Sequence, residues 1–250
     1  MTATPALQGW VEGEHTADGR SHPIYRRGEG PGVIVIHELP GLTPDVVAFA
    51  DEVVDAGFTV ALPSLFGTPG APGTVGEVLR VIPRVCVSSE FTKLAVGETA
   101  PVAGWLRSLA RHLHQETGGP GVGVVGMCFT GGFALAAMVD PSVAAPVVAQ
   151  PSTPFPVGRR RRGDLNLSPT DLASVKTRVA QGCPVLGVRY DGDRATGTRF
   201  DTLQRELGDG FLRVDLCPGG RMDHATLTVH RSQVAVDRVL AFLGQRLKPA

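Results

Sequence analysis

The sequence predicts an α/β fold, a mostly parallel central sheet with helices packed on both of its faces. Short continuous runs of β-branched and small apolar residues recur along the chain, as strands buried on both faces require. Amphipathic stretches of helical length separate them, and Gly and Pro mark the junctions. A chain of 250 residues can bury one large core, so residues 1–250 are expected to form a single domain.

In chain order, the polar segment up to about Arg27 suits an edge hairpin. Val33-Ile-Val-Ile36 is the first strand buried on both faces. Pro44 to Gly57 follows as a helix, with Val46, Val47, Phe49, Ala50, Val53 and Val54 on one face and Asp45 in the first turn. Phe58-Thr-Val-Ala-Leu62 is a strand ended by Pro63. Pro101 to Glu116 is a helix that lines up Val102, Trp105, Leu106, Leu109 and Leu113. Val122 to Met127 is a strand and Gly131 to Val139 its helix. Ala144 to Ala149, Pro184 to Tyr190 and Phe211 to Leu216 are further strands, with helices at Pro169 to Ala180, at Arg199 to Leu207 and within Thr226 to Leu247. The stretch around Cys86 carries no assignable pattern. Strands alternating with helices imply a parallel sheet, and ligands bind beyond the carboxyl ends of such strands.

Composition excludes some functions. Twenty-four basic and twenty-four acidic side chains balance, so no overall field draws the chain to nucleic acid or to a membrane surface. The basic run Arg159 to Arg162 lies in a Pro/Gly-rich stretch and is expected to be a solvated loop. No basic and apolar leader opens the sequence, and no apolar stretch is long enough to span a bilayer. Four cysteines (86, 128, 183, 217) in a chain this large do not suggest a disulfide framework. A cytoplasmic location is expected.

The most informative segment is Gly126-Met-Cys-Phe-Thr-Gly-Gly132, where an apolar strand turns abruptly into an apolar helix with a thiol at the apex. Such a bend exposes the apex side chain and aims helix-start N–H groups at whatever it attacks. A thiol there gains reactivity from a nearby imidazole. Two later strand ends supply partners: Asp193 follows the strand ending at Tyr190, and His224 follows the one ending near Leu216. Nucleophile, acid and histidine thus occur in the order that hydrolases of this architecture use.

The alternatives are weaker. Asp191 lies two residues before Asp193 and suits turn formation, and Asp223 is too near His224 in sequence to orient its ring. Cys183 and Cys217 lack a bend and are expected to be structural, whereas Cys86 is a minor candidate for lining a pocket. His230 falls in or near the last helix. His112 and His114 are two apart on a helix and do not share a face. His37-Glu38 lacks the second histidine of a zinc-protease helix. No metal site or cofactor is expected. The loop His37-Glu38-Leu39-Pro40-Gly41, after the first buried strand, stands where a second oxyanion-hole N–H arises, from Leu39, to join that of Phe129.

These motifs resemble the dienelactone hydrolase family from about Val33 to the C-terminal helix. The resemblance implies an α/β-hydrolase fold with a Cys128-His224-Asp193 triad, acting without a cofactor on lactones or related esters as small-molecule substrates. It also gives Glu38 a role as a modulator that engages the cysteine at rest and leaves when substrate binds. Two positions depart from the family. Thr130 stands where a glycine is expected, and Thr228 stands where an arginine holds the substrate carboxylate. Arg231, Arg80 and Arg84 are substitutes by proximity only. Two other readings stay open, namely a thioesterase or acyl-transfer enzyme on the same triad, with Pro151 to Asp164 covering the pocket, and a binding protein that has kept the fold. Oligomeric state is not legible.

Overall fold

The computed structural model describes residues 5–91 and 95–248. Eight strands form one sheet: β1 (Val11–Ala17), β2 (Arg20–Arg27), β3 (Gly32–Ile36), β4 (Thr59–Pro63), β5 (Val122–Met127), β6 (Val143–Ala149), β7 (Val185–Tyr190) and β8 (Phe211–Leu216). Their order is β1-β2-β4-β3-β5-β6-β7-β8. The expected edge hairpin is β1–β2, which meets β4 antiparallel; every pairing from β4 to β8 is parallel.

The β-branched run of β3 is explained by its position between β4 and β5, with helices on both sides. Val33 and Val35 join one core with Val46, Val47 and Phe49 of α1 (Pro44–Asp55) and with Val236, Val239 and Leu243 of α8 (Gln233–Leu247). Ile34 and Ile36 point the other way, into a core built on Trp105, Leu106 and Leu109 of α3 (Val102–Thr117) and on Phe133 of α4 (Gly131–Ala137). Each fully buried aliphatic side chain contributes about 2 kcal/mol, so a polar residue at any of these four positions is disfavoured on either face. Helix starts follow local chemistry. Thr43 and Ser168 accept N–H bonds from Val46 and Asp171, each before a proline in the first turn, at the heads of α1 and α6 (Pro169–Ala180).

Two expectations need correction. The unassigned stretch forms α2 (Val75–Val87), capped by Thr74 and interrupted by Pro83; that proline removes a helical hydrogen bond and hides the helix from pattern reading. The side chain of Cys86 lies outside the described residues. The basic run is a short helix, α5 (Gly158–Arg162), with no buried residue, solvated as expected but not a loop. His230 lies in the turns just before α8, near the last helix as expected. The remaining helix, α7 (Arg199–Leu207), has its expected bounds. No helix among the described residues is long and apolar enough to cross a membrane.

Strand register aligns the carboxyl ends. Ile36 lies opposite Gly126, Met127 opposite Ala149, and Tyr190 opposite Leu216. The loops after β3, β5, β6, β7 and β8 therefore open on one edge of the sheet.

Candidate active site

Cys128 begins a single 3₁₀ turn between β5 and α4, with a positive φ of 52°. A non-glycine residue in this left-handed region is strained and persists only where its surroundings enforce it. Close packing does so here. A Cβ on Gly126 would stand 2.4 Å from the Thr130 carbonyl oxygen, and one on Gly131 would stand 2.7 Å from Pro151 Cα. Thr130, the residue in place of a family glycine, is fully buried. Its hydroxyl accepts the Met127 N–H at 3.2 Å and shares its proton among Ile36, His37 and Met127 carbonyls, each 3.1 Å away. The threonine thereby ties the bend to the end of β3, where the Leu39 loop begins.

The acid and the histidine meet. His224 Nδ1 lies 2.7 Å from Asp193 Oδ2, which fixes the tautomer with the proton on Nδ1. The carboxylate is oriented by the Thr196 hydroxyl at 2.6 Å and the Ala195 N–H at 2.9 Å. Burial alone would raise Asp193, but the His224 ring and these donors hold it below the ordinary carboxylate value. The other ring nitrogen, Nε2, is buried without a hydrogen-bond partner among the described residues. Cys128 is an electrostatic neighbour of the ring. Burial opposes the imidazolium, yet the Cys128 and Asp193 side chains outweigh it and raise the ring above the ordinary histidine value. His230 steadies the loop, its Nδ1 accepting the N–H groups of His224 and Ala225 at 3.3 Å.

Competing residues stand apart. Asp191 is exposed in the turn, and the Asp223 carboxylate accepts the Gly219 and Gly220 N–H groups at 2.7 and 2.9 Å. Cys183 is buried at the start of β7 with its sulfur on the Val143 and Ala144 carbonyls, whereas Cys217 is exposed. His37 is a buried structural residue. Leu65 N–H donates to its Nε2 at 3.0 Å, so the ring proton sits on Nδ1 and donates to the Glu38 carbonyl at 3.0 Å. His112 pairs along its helix with Glu116 at 3.5 Å. No group of three or more metal-ligating side chains occurs among the described residues.

Glu38 is buried, and its partners are Thr228 and Gln150. Gln150 in turn accepts the Thr226 hydroxyl at 2.6 Å. Desolvation raises the Glu38 carboxyl above its ordinary value, against the pull of these donors and of His224. One neighbour of Cys128 on the β6 side was missed by sequence reasoning: Ser152 Oγ lies 3.3 Å from Cys128 Sγ, and Ser152 N–H donates to the Cys128 carbonyl at 2.9 Å. Thr196, Gln150 and Thr226 were also missed, as was Arg199. The fully buried Arg199 guanidinium donates to the carbonyls of Asp164, Ala195, Thr196, Pro154 and Arg161. Burial lowers it to about 10, with Asp164, Asp193 and Cys128 charges acting in its favour, so it stays a cation at neutral pH. None of these residues has a motif.

Partly exposed apolar side chains surround Cys128. Leu39, Phe66 and Phe155 pack against the same core as Cys128. The Phe129 ring lies 5.5 Å from those of Phe66 and Phe91 and 6.1 Å from that of Phe155. Phe66 and Phe91 also line a cavity of about 260 Å³ under α2, together with Val81, Val85 and Arg84. Of the arginines proposed for a substrate carboxylate, Arg231 is bound to Glu52 at 2.7 Å and Arg80 to Glu77 at 3.3 Å.

The sequence pattern of the dienelactone hydrolase family matches residues 23–164, more than half of the chain. A putative dienelactone hydrolase from Klebsiella pneumoniae is similar in structure, with a TM-score of 0.61 at 18% identity over 94% of this chain and 99% of that one. So is a dienelactone hydrolase-like promiscuous phosphotriesterase from metagenomic libraries, with a TM-score of 0.60 at 14% identity over 95% and 98%. A cold-adapted esterase from an Arctic intertidal metagenomic library gives 0.56 at 14% identity over 93% and 92%. No curated protein matches in sequence. At these identities the structural likeness speaks for the α/β-hydrolase fold alone, and it agrees with the pattern match: the chain belongs to the dienelactone hydrolase family.

Proposed function

We propose that this chain is a cysteine hydrolase of lactone or ester carbonyls, with Cys128 as nucleophile, His224 as base and Asp193 as orienter. The reading is carried by one observation: a His224 ring locked to Asp193 at 2.7 Å, with its remaining nitrogen buried and the ring electrostatically coupled to a left-handed apex cysteine. His224 takes the thiol proton and the thiolate adds to the carbonyl carbon. The N–H groups of Phe129 and Leu39 receive the oxyanion, each worth about 3 kcal/mol. The tetrahedral intermediate collapses to a thioester, and the leaving alkoxide takes the proton from His224. Water, deprotonated by the same ring, then hydrolyses the thioester.

The surroundings favour a modest, mainly apolar ester. Thr228 is occupied with Glu38, and Arg231 and Arg80 are held by acids of their own. Arg84 remains as the one of these arginines on a cavity next to the aromatic cluster. A thioesterase or acyl transferase is the second reading. The segment proposed to cover the pocket supports it in part, because residues 151–154 are buried and Phe155 reaches the Phe129 ring. A binding protein needs no such triad.

The test is hydrolysis of a panel of short aryl esters, lactones and acyl thioesters. Cys128→Ala is expected to abolish turnover with an unchanged circular dichroism spectrum, and Cys128→Ser to leave weak activity. Full esterase activity in Cys128→Ala refutes the assignment, and faster turnover of thioesters than of esters favours the second reading.

A further inference from the structure

We propose that the free edge of β8 is a self-association surface, on which two copies of this chain pair their β8 strands antiparallel about a two-fold axis at Val214. The inference is independent of the hydrolase reading. Its starting point is that β8 ends the sheet, with β7 on one side and no strand on the other. The Leu216 carbonyl accepts the Asp191 N–H at 2.9 Å, and Leu216 lies opposite Tyr190. Backbone groups alternate along a strand, so Leu212, Val214 and Leu216 face theirs toward β7, and Arg213 and Asp215 turn theirs outward. No backbone partner of those outward groups occurs among the described residues. Such an edge is a template for another strand.

Charge chooses both the partner and the register. With the axis at Val214, Arg213 of each copy stands opposite Asp215 of the other, and Leu212 stands opposite Leu216. Arg213 and Asp215 then exchange N–H and C=O on both sides of the axis, with their opposite charges on one face. An axis at Arg213 or at Asp215 sets like charges against each other, which is destabilising. One at Leu212 leaves Arg213 opposite Phe211. The far edge of the sheet lacks this property, because an axis at Glu12, Gly13 or Glu14 of β1 sets glutamate against glutamate. Within its own chain Arg213 holds Asp215 and Asp201, and Asp215 also holds Arg189. The side chains are thus fixed before the second copy arrives, and little ordering is needed to bind it.

The other face of the strand supplies apolar contact. Leu212 is 41% exposed. It borders a groove of about 320 Å³ between β8 and α8, which Val214, Ala241 and Phe242 also line. Val234, another exposed apolar side chain, precedes Arg238 of that groove by one turn of α8. Across the axis the two Val214 side chains meet at the closer of the two spacings in an antiparallel ladder. Each Leu212 covers Leu216 of the other copy. A stable interface takes about 800 Å² from each partner, more than a strand of six residues provides, and the adjoining face of α8 supplies the rest.

The experiment is analytical ultracentrifugation of the full chain across micromolar concentrations, with circular dichroism to establish that each variant folds. Wild type is expected to sediment at twice the mass of the chain. Arg213→Asp and Asp215→Arg each set like charges opposite one another, and each alone is expected to dissociate about tenfold more readily. Mixed together they are expected to recover the dimer, because every facing pair then has opposite signs. Leu212→Glu, at an exposed position that a lone chain tolerates, is also expected to weaken it. In a Cys217→Ser background, Val214→Cys is expected to cross-link two chains on oxidation, since the axis brings that position to about 4.5 Å from its copy. Leu212→Cys, which faces Leu216, is not. A monomeric wild type overturns the proposal and leaves the edge to a strand of another protein. A dimer indifferent to both charge reversals overturns it as well, as does cross-linking through Leu212→Cys in place of Val214→Cys.

Discussion

His37 makes the stability of this fold depend on acid in a calculable way. Its ring is fully buried, packs edge-on against Phe66 with centroids 4.4 Å apart, and accepts the Leu65 N–H. Burial lowers it from 6.5 to about 4, despite the Glu38 carbonyl that favours protonation. The unfolded chain therefore binds a proton below about 6.5 that the folded chain refuses until about 4. Stability from this group is fully present above the upper value and falls as pH drops between the two. A difference of about 2.5 units is about 3 kcal/mol. Urea unfolding of wild type and His37→Gln between pH 7.5 and 4 is the assay, because glutamine can still accept the Leu65 N–H but does not titrate. The wild type is expected to lose about 3 kcal/mol more than the variant over that range. Parallel curves refute the reasoning.

Two further outcomes follow from the packing of the site. Thr130→Val preserves shape but orphans the Met127 N–H, so urea unfolding is expected to register a loss of about 1–3 kcal/mol; kcat also falls because the Leu39 loop loses its tie, and Thr130→Ser recovers both. Arg199→Met leaves five carbonyls without their buried cation and is expected to cost roughly 3–5 kcal/mol, a fall in Tm of about 10 °C. An unchanged melting curve contradicts the role given to this arginine.

Much of the site was legible because strand ends are legible. Val122–Met127, Pro169–Ala180, Arg199–Leu207 and Phe211–Leu216 have the predicted bounds, since buried β-branched runs and amphipathic periods report the two faces of the sheet directly. Once strands are located, a cysteine, an aspartate and a histidine that each follow one are candidates by position. The helix over residues 75–87 was not legible, because Pro83 breaks the pattern that would reveal it.

By itself, the sequence determined the layered fold and the bend at Cys128, and it singled out the three residues proposed for its chemistry, since these depend on local periodicity and on chain order. Only the tertiary structure decided which polar groups surround them. Ser152 touches the sulfur across 24 positions of sequence, and Thr228 binds Glu38 across 190. Arg199 gathers carbonyls from two loops. Such contacts are made by side chains with no spacing in common, brought within reach because parallel strands deliver their carboxyl ends to one edge. No local pattern encodes that meeting; the register of β3, β5, β6, β7 and β8 does.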